Sequence, residues 1–597
     1  MGLESTGNEA NDQMFQEYLK LAKANRSAMK RLIHRKGIAG FSEDAGRVLA
    51  GFIYSNARLS ATNVHTRQIN DAVAAIPKEQ GQLKDMAVKL SDYVRNPQEE
   101  AQAVRGAMFV QYLGGSLASA FVNMTQPVAV TMPYLSQWGG PAKAANQMKN
   151  ALADIWKKST GDAALDAALK HAEDQGVVSP QEVHQLMAQA RGRASLSAGD
   201  GTLKGEAWAK AGNAYSKLML GWGKAFSAAE QFNRRVTFIA AYRVAVDNKM
   251  ANPYEFAKKA IEDTQFVYNK GNKPQWARGA IGGTLFTFKS YSISYVELMH
   301  RLATQGGPEG KKAALFMVAM IFLMGGAGGL PFMSDAEDVV DAIMQRLGYA
   351  WNTKQARKEL LIDVLGKGGA EFVESGISGL PGVPIDVAGR LGLGNLIPGT
   401  GLLVKKQDHS RDLLEIAGPA GDLAKRAFEG SGMILGGDLK EGLLAWSPKA
   451  VSNAAKGWDM YTSGMYKDTK GRKVIDVDGV EALIKATGFQ PKAVADVQEA
   501  TMAQQSLIQQ NKMFKAELGR AMAKAVFEGD FAEQQAVREK MRRWNERNPE
   551  SPVKIDMAAV RKSVIDMRRS KADRVARSAP KAIRAEVKES LREATVD

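Results

Sequence analysis

An uncharged run of 22 residues, 313–334, constrains the fold of this chain more than any other feature. Lysines precede the run and acidic residues follow it. A helix needs about 20 consecutive apolar residues to cross the hydrocarbon core of a bilayer. The run therefore predicts a membrane-inserting helix, whose lysine end would face the cytoplasm if the helix spans. The alternative is a buried core helix followed by a glycine loop.

The large side chains and the glycines of this run predict different roles. The candidate membrane-inserting residues are Leu315, Phe316, Val318, Ile321, Phe322 and Leu323. The glycines that follow them are Gly325, Gly326, Gly328 and Gly329. Because glycine has no Cβ, these four positions permit either close helix packing or a break in the helix.

Two further segments are apolar but interrupted. Residues 106–142 carry no charge, yet prolines and amide side chains divide them, which favours a buried helical hairpin in a protein core over a membrane span. Residues 366–404 combine closely spaced glycines and prolines with aliphatic residues, so no regular helix is expected there. Irregular apolar backbone needs a protein partner, because lipid cannot satisfy its amides. Two interpretations of this segment are possible: a re-entrant membrane element and an oligomer interface. A smaller glycine-rich patch lies at 431–437.

The remaining sequence has the apolar periodicity of amphipathic helices. We predict an all-α protein: an elongated multi-helix bundle with an apolar, glycine-rich membrane or assembly segment and a C-terminal helical hairpin with a basic tail. The expected regions are an N-terminal helical region (1–105), a helical core (106–310), a membrane-inserting glycine-rich region (311–440) and the hairpin with its tail (441–597). Polar residues between positions 230 and 243 predict a buried ion-pair network with a structural role.

The chain is basic and contains no cysteine. Its formal charge is +16, from 80 basic and 64 acidic residues, which favours a polyanionic partner such as nucleic acid or an anionic lipid surface; the alternative is a role in solubility alone. The lack of cysteine excludes disulfides and thiolate chemistry. The polar first residues lack the apolar segment of a secretory signal, so a different route to a membrane is expected.

The C-terminal part combines helices with a basic stretch. Residues 461–478 predict a short β-hairpin or turn, and residues 492–549 predict two helices joined by a turn at 528–530. The predicted contacts to phosphate groups or anionic lipid are Arg561, Lys562, Arg568, Arg569, Lys571, Arg574 and Arg577. Such cations bind a DNA backbone without reading its sequence.

The sequence contains no catalytic pattern. The six histidines lack the spacing of metal ligands, and no nucleophile elbow occurs. Adjacent acids such as Glu99 and Glu100 do not face each other on a helix, which argues against a carboxylate pair. We therefore expect no enzyme activity, no catalytic or metal site and no cofactor.

Several sequence blocks, in the same order, resemble the very large phage virion proteins that carry the PLxRFG domain. The blocks are HRKGIAGFSEDAGRVLAGFIYSNARLS, AFVNMTQP, EQFNRRVTFIAAYR, FVYNKGNKPQWARGAIGGTLFTFKSY, LPGVPIDVAGRLGLGNLIPGTGLL, TGFQP and WNERNP. Together they extend from about residue 30 to residue 570. The motif that names the family is present only in degraded form, between Pro274 and Phe288.

The resemblance implies an internal virion protein that is ejected into the host with the genome. By analogy with other short-tailed phages, such proteins oligomerise into a conduit that spans or docks to the host envelope and lets DNA pass. The implied partners are copies of the same chain, other ejection proteins of the virion, the phage DNA backbone and the host membrane. The implied location is the virion interior and, after ejection, the inner membrane and periplasm of the host.

Two alternatives stay open from the sequence. The first is a soluble structural protein of the capsid interior that binds DNA nonspecifically, with the apolar segments as core and oligomer interface. The second is an enzyme, such as a cell-wall hydrolase, for which no residue pattern is present.

Overall fold

The computed structural model describes most of the chain as helix, which confirms the predicted all-α class. The described residues are 65–95, 102–179, 203–266, 273–286, 290–388, 418–468, 471–568, 576 and 578–593. Some sequence predictions lie outside them, namely the first resemblance block, the second half of the glycine-rich segment (389–404), and Arg569, Lys571, Arg574 and Arg577.

Helices and short strands follow the chain in a simple order. The helices are α1 (Gly81–Arg95), α2 (Gln102–Tyr112), α3 (Leu117–Asn123), α4 (Met132–Leu135), α5 (Gly140–Lys157), α6 (Ala163–Asp174), α7 (Leu203–Asp247), α8 (Pro253–Thr264), α9 (Gly279–Leu285), α10 (Ser290–Gln305), α11 (Gly307–Gly325), α12 (Met333–Arg346), α13 (Thr353–Ser375), α14 (Gly418–Leu435), α15 (Leu439–Trp446), α16 (Lys449–Ser463), α17 (Gly479–Ala486), α18 (Lys492–Glu528), α19 (Phe531–Arg547), α20 (Met557–Met567) and α21 (Arg584–Glu593). Residues 65–74 are also helical. The strands are β1 (Ile385–Asp386), β2 (Met465–Lys467), β3 (Lys473–Asp476) and β4 (Gln490–Pro491). β1 pairs with β4 and β2 with β3, both antiparallel.

The chain divides into two compact units, each discontinuous in sequence. Unit 1 comprises Met1–Met317 and Gly418–Ala455, and unit 2 comprises Val318–Ala417 and Lys456–Asp597. The four regions expected from the sequence are consecutive, whereas the chain passes between these units three times. Packing between segments distant in sequence defines the units, and local periodicity carries no information about such packing.

Helix α7 is the centre of unit 1 and packs against α3, α5 and α8. Phe238 and Ile239 are among its fully buried side chains. The uncharged segment 106–142 adds α2, α3 and α4 to this core, with a π-helical turn at Pro127–Thr131. Proline lacks the N–H that an α-helical ladder requires, so the backbone adjusts at Pro127. Much of the segment is therefore protein core within unit 1, although Leu117 and Phe121 of α3 are exposed.

A buried polar network completes this core. Thr131 Oγ1 lies 3.1 Å from Thr237 Oγ1 and 2.9 Å from Thr264 Oγ1. The side-chain amide of Gln265 donates to Thr237 Oγ1 at 3.0 Å. All four side chains are buried, so these hydrogen bonds offset the cost of removing polar groups from water.

Ion pairs occupy the polar positions of α7. Arg234 and Glu230 pair within the helix at 3.4 Å, and both are buried. Arg243 binds Asp154 of α5 at 2.5 Å, and Arg235 binds a glutamate of α6 at 2.6 Å. The acidic partners lie on three helices: Glu230 on α7 itself, Asp154 on α5 and Glu173 on α6. The pairs of Arg243 and Arg235 join α7 to α5 and α6, which is a structural role.

The uncharged run 313–334 is not a single helix. α11 ends at Gly325, because Gly326 has a φ of +65°, which an α-helix does not contain. A 3-10 turn at Ala327–Gly329 follows, and then α12 begins. The prediction of one continuous inserting helix is therefore wrong. The run instead forms a helix followed by a glycine loop, as in the alternative interpretation. No helix in the described part of the chain has both the length and the apolar content to cross a membrane.

Residues 366–388, the described part of the glycine-rich segment, are more regular than expected. α13 is interrupted at Gly366, where φ is +71°, and then continues to its end. A 3-10 turn at Gly376–Gly379 and the strand β1 follow. The expectation of no regular helix is wrong for residues 367–375. Tertiary contacts, including the ion pair of the buried Glu374, outweigh the low helix propensity of glycine there.

The predicted C-terminal helical hairpin and the short β-hairpin β2–β3 are both confirmed. Gly529, with a φ of +74°, ends α18, and the side chain of Asp530 accepts a hydrogen bond from the backbone of Glu533 to start α19. The rings of Phe514 and Trp544 stack across the two helices with centroids 3.9 Å apart. Together with α20, these helices enclose the main apolar core of unit 2.

We expect Trp544→Ala to lower the free energy of unfolding of unit 2 by about 3–5 kcal/mol, because it leaves a cavity at a ring that is 4% exposed. Phe531→Ala removes a ring that is 81% exposed and should change this free energy by less than about 0.5 kcal/mol. Urea unfolding followed by circular dichroism compares the two variants. Equal effects would contradict the core position of Trp544.

Candidate docking site

Helices α14 and α15 form a short helical hairpin in unit 1. Residues 436–438 connect them. The backbone N–H of Asp438 donates to the Met433 carbonyl at 2.9 Å, and that of Gly437 donates to the Ile434 carbonyl at 3.2 Å. This pair of bonds ends a helix in Schellman geometry, which requires a left-handed residue. Gly437 supplies that residue, with a φ of +96°.

The two helices touch through glycines. A Cβ on Gly442 would lie 2.7 Å from the Gly430 carbonyl oxygen, and a Cβ on Gly430 would lie 2.3 Å from Cδ1 of Trp446. Both distances are too short for a non-bonded contact. The helices therefore reach this separation only because neither position carries a side chain.

Arg426 and Trp446 hold the base of the hairpin. Arg426 donates from Nε to the Ala445 carbonyl at 3.0 Å and from Nη2 to the Ser447 carbonyl at 3.1 Å. Carbonyls at the C-terminal end of a helix lack partners within the helix, and a positive charge is favourable there. Trp446 Nε1 donates to the Ala427 carbonyl of α14 at 3.2 Å. These bonds join both helices near their outer ends.

A polar cluster attaches α14 to the rest of unit 1. The Tyr112 hydroxyl lies 2.7 Å from the Asp422 carboxylate and 2.8 Å from the Pro419 carbonyl. Lys449 Nζ lies 3.4 Å from the same carboxylate. Burial, reinforced by the hydrogen bond to Asp422, raises the pKa of Tyr112 above its ordinary value. Burial alone would raise the pKa of Asp422, but the hydrogen bond from Tyr112 and the Lys449 charge lower it overall, so the carboxylate stays ionised.

The hairpin presents a group of large apolar side chains to solvent. They are Phe428, Met433, Leu435, Leu439, Leu443 and Trp446. Met433, Leu435 and Leu439 lie on either side of the turn and are termed the hairpin tip; Leu435 is 89% exposed. Exposed apolar groups of this size mark surfaces that contact another apolar phase, because water around them is unfavourable.

The six predicted membrane-inserting side chains of α11 do not share one environment. Leu315 and Leu323 are exposed, Ile321 is buried, and the other three are partly exposed. A helix turns once every 3.6 residues, so consecutive apolar residues are distributed over all of its faces. Part of this set therefore lies in the protein core.

Of the four predicted glycines at and after the end of α11, Gly326 lies at a close backbone contact within unit 2. A Cβ on Gly326 would lie 2.3 Å from the carbonyl oxygen of Glu374, and a Cβ on Gly376 would lie 2.6 Å from the carbonyl oxygen of Leu323. The end of α11 thus meets the end of α13 backbone to backbone. Glycine permits both the packing and the break at this point.

Three of the seven predicted basic contact residues are described. Arg561 and Lys562 on α20 are exposed, as is Arg568 directly after it. None of the three forms an ion pair with another described residue. Their charges are therefore available to an external anion.

The composition of residues 431–437 is glycine-rich, but the periodicity of the sequence does not predict that this segment forms a docking hairpin. Gly430 and Gly442 become neighbours only after the chain turns. The one sequence feature that could have indicated this site is the presence of apolar residues on both sides of that turn. Among the described residues, no group of three or more histidine and acidic side chains could hold a metal ion.

No protein-family model, no curated protein and no solved structure matches this chain. Function is therefore inferred from the hairpin tip, the exposed basic residues and the sequence resemblance to phage virion proteins.

We expect Gly442→Ala to open the hairpin, because the new Cβ would overlap the Gly430 carbonyl. Amide hydrogens of residues 418–446 should exchange about 5- to 150-fold faster, since overpacking costs about 1–3 kcal/mol. Gly432→Ala is the matched control. No atom lies within 4 Å of its added Cβ, and alanine stabilises a helix over glycine by about 0.5–1 kcal/mol, so exchange should slow.

Hydrogen exchange followed by mass spectrometry measures both glycine variants in the same peptides. Effects of equal sign in the two variants would contradict the glycine contact between α14 and α15.

Proposed function

We propose that this chain is an internal virion protein of a short-tailed phage, ejected into the host with the genome. It oligomerises and docks to the host envelope as part of a conduit for DNA. Its partners are copies of the same chain, other ejection proteins, the DNA backbone and membrane lipid. The sequence blocks that resemble PLxRFG-domain virion proteins support this origin.

The hairpin tip carries the membrane-docking part of the proposal. A water-soluble helical protein normally covers its aliphatic side chains, whereas this hairpin holds Leu435 and Leu439 in solvent on a well-bonded base. Transfer of one such side chain to an apolar phase contributes about 1.5–3 kcal/mol. Two or three side chains therefore give reversible membrane affinity without a spanning helix.

The exposed basic residues support contact with DNA. Arg561, Lys562 and Arg568 are free to approach phosphates, and the net charge of +16 attracts a polyanion from a distance. Backbone contacts of this kind are independent of base sequence. Such contacts suit a conduit, which must pass every sequence of the genome.

A soluble protein of the capsid interior that binds DNA nonspecifically is the second candidate. The division of residues 313–334 into a helix and a glycine loop favours it, because the apolar run is partly protein core. In this case the hairpin tip would contact another copy of the chain.

We expect the protein to float with phosphatidylcholine vesicles in a density gradient. Leu435→Glu combined with Leu439→Glu should lower vesicle affinity by at least about 100-fold, because two aliphatic side chains lose their apolar transfer free energy. Both side chains are exposed, so the change leaves the core intact. Val246→Glu, at a half-exposed aliphatic position of α7 in the same unit, should leave the affinity unchanged.

The outcomes of this flotation assay separate the two candidates. Wild-type affinity in the double variant would exclude the hairpin tip as the membrane contact. Vesicle binding that is lost at high salt would assign it to basic residues, since apolar insertion is not screened by ions. A wild-type protein that stays out of the lipid fraction would favour the capsid-interior candidate.

For duplex DNA of arbitrary sequence, we expect Arg561→Gln, Lys562→Gln and Arg568→Gln together to reduce the slope of log affinity against log salt concentration by about 3. Each lost phosphate contact removes about one unit of that slope. Fluorescence anisotropy over a salt series measures it. Lys149→Gln, at an exposed position of α5, should leave the slope unchanged. An unaltered slope in the triple variant would exclude these residues as the DNA contact.

A further inference from the structure

Both compact units are assembled from the same two parts of the chain. The first part ends at residue 388 and the second part begins at Gly418, so residues 389–417 are the covalent connection between them. Unit 1 contains Gly418–Ala455 of the second part and unit 2 contains Lys456–Asp597 of it, and each unit also contains a section of the first part. Each unit therefore depends on a contact between the two parts.

In unit 2, each part has a packing of its own. The buried residues of the core formed by α18, α19 and α20 all belong to the second part. Among the described residues, Ala350 alone of the first part packs against this core, and it is only partly buried. Within the first part, Arg357 joins α12 to α13 through ion pairs with Glu337 and Glu374. The contact between the parts is thus separate from the packing inside either part.

Side-chain amides of the second part bind backbone of the first part in unit 2. The Gln510 amide accepts a hydrogen bond from the Trp351 N–H at 3.0 Å and donates to the Trp351 carbonyl at 3.1 Å. The Asn548 amide accepts from the Ala350 N–H at 2.7 Å and donates to the Gly348 carbonyl at 3.0 Å. The strand β1 of the first part also pairs with β4 of the second. Bonds to backbone groups are the kind by which a separate peptide joins a sheet edge.

Charges complement each other across the same contact. Lys354 Nζ of α13 lies 2.9 Å from a carboxylate oxygen of Glu499 on α18. Burial alone would raise the pKa of Glu499, but the charges of Lys354 and Lys358 in the first part lower it overall, together with that of Lys492. The carboxylate of the second part therefore stays ionised and attracts the lysines of the first part.

Polar contacts also join the two parts in unit 1. The Tyr112 hydroxyl of the first part binds the Asp422 carboxylate and the Pro419 carbonyl of the second. The Gln111 side chain donates to the Ser447 carbonyl at 2.8 Å. Polar contacts of this kind resemble those between proteins that associate after each has folded.

We propose that the second part of one copy docks on the first part of another copy, so that both units are completed between chains. This inference rests on the proposed oligomerisation of the chain and names the contact that produces it. Exchange needs no new interface, because each contact within one chain is replaced by the same contact between two chains. Reciprocal exchange gives a dimer, and exchange with successive copies gives a ring.

The connection between the parts decides the balance between the two arrangements, since the contacts are the same in both. A connection of about 30 residues reaches at most about 100 Å. Tethering by a linker corresponds to an effective concentration of up to about the millimolar range. Pairing between copies competes with pairing inside one chain as the protein concentration approaches that range, so exchange is expected to increase with concentration.

Cysteine cross-linking in the cysteine-free chain tests the exchange. Lys354→Cys and Glu499→Cys are placed on separate copies of the whole chain that carry different affinity tags, and the two copies are co-expressed. A short bis-maleimide should link them, because position 354 of one copy then lies beside position 499 of the other. A chain that carries both cysteines verifies that the cross-linker reaches between the two positions.

Lys540→Cys and Glu517→Cys on separate copies are the matched control. This ion pair, at 2.7 Å, is exposed to a similar degree as the pair of Lys354 and Glu499. Both of its residues belong to the second part, so exchange leaves them in one copy. Product that carries both tags should be at least about tenfold more abundant for positions 354 and 499 than for this control. Equal linking of the two pairs would overturn the proposal in favour of unspecific association.

The remaining outcomes separate the exchange from the proposed oligomerisation. An oligomer without links between copies at 354 and 499, although the chain with both cysteines is linked within one copy, would overturn the exchange and leave oligomerisation in place. A wild-type protein that light scattering shows to be monomeric at every concentration would overturn both. Neither outcome alters the flotation and DNA-binding tests, which measure the membrane and DNA contacts separately.

Discussion

Close approach of helices at glycines is the constraint on which the α14–α15 hairpin of unit 1 and the α11–α13 contact of unit 2 both depend. In unit 1, Gly430 and Gly442 bring α14 and α15 together. In unit 2, Gly326 and Gly376 bring the end of α11 against the end of α13. The backbones meet at distances that no residue with a Cβ allows. Helices as short as α15 have little stability of their own, so these contacts, more than helix propensity, maintain them.

Arginine side chains complete both of these contacts. Arg426 binds carbonyls at the end of α15, and Arg357 binds two carboxylates from neighbouring helical segments. With the base of the α14–α15 hairpin fixed in this way, the aliphatic residues near its turn remain in water. Leu435 is the most exposed of them. A rigid protrusion with an apolar surface can bind lipid without a costly rearrangement.

The proposed membrane and DNA contacts depend on different forces. Aliphatic insertion follows the apolar area removed from water and is insensitive to salt, whereas cationic contacts to phosphate release counterions and weaken as salt increases. The hairpin tip lies on α14–α15, and the described basic residues of the proposed DNA contact lie on and after α20.

Helix periodicity and the turn at Gly529 are local properties, so the helical class and the C-terminal hairpin could be predicted from the sequence alone. Local chemistry could not determine how residues 313–334 divide, why helix resumes after Gly366, or that Gly430 and Gly442 meet. Those features depend on contacts between residues far apart in the chain, such as Arg357 with Glu374. An apolar run gains similar transfer free energy in a protein core and in lipid, so its composition does not distinguish the two. Whether an apolar residue is core or exposed depends on the contacts that its side chain makes once segments far apart in the chain have packed together.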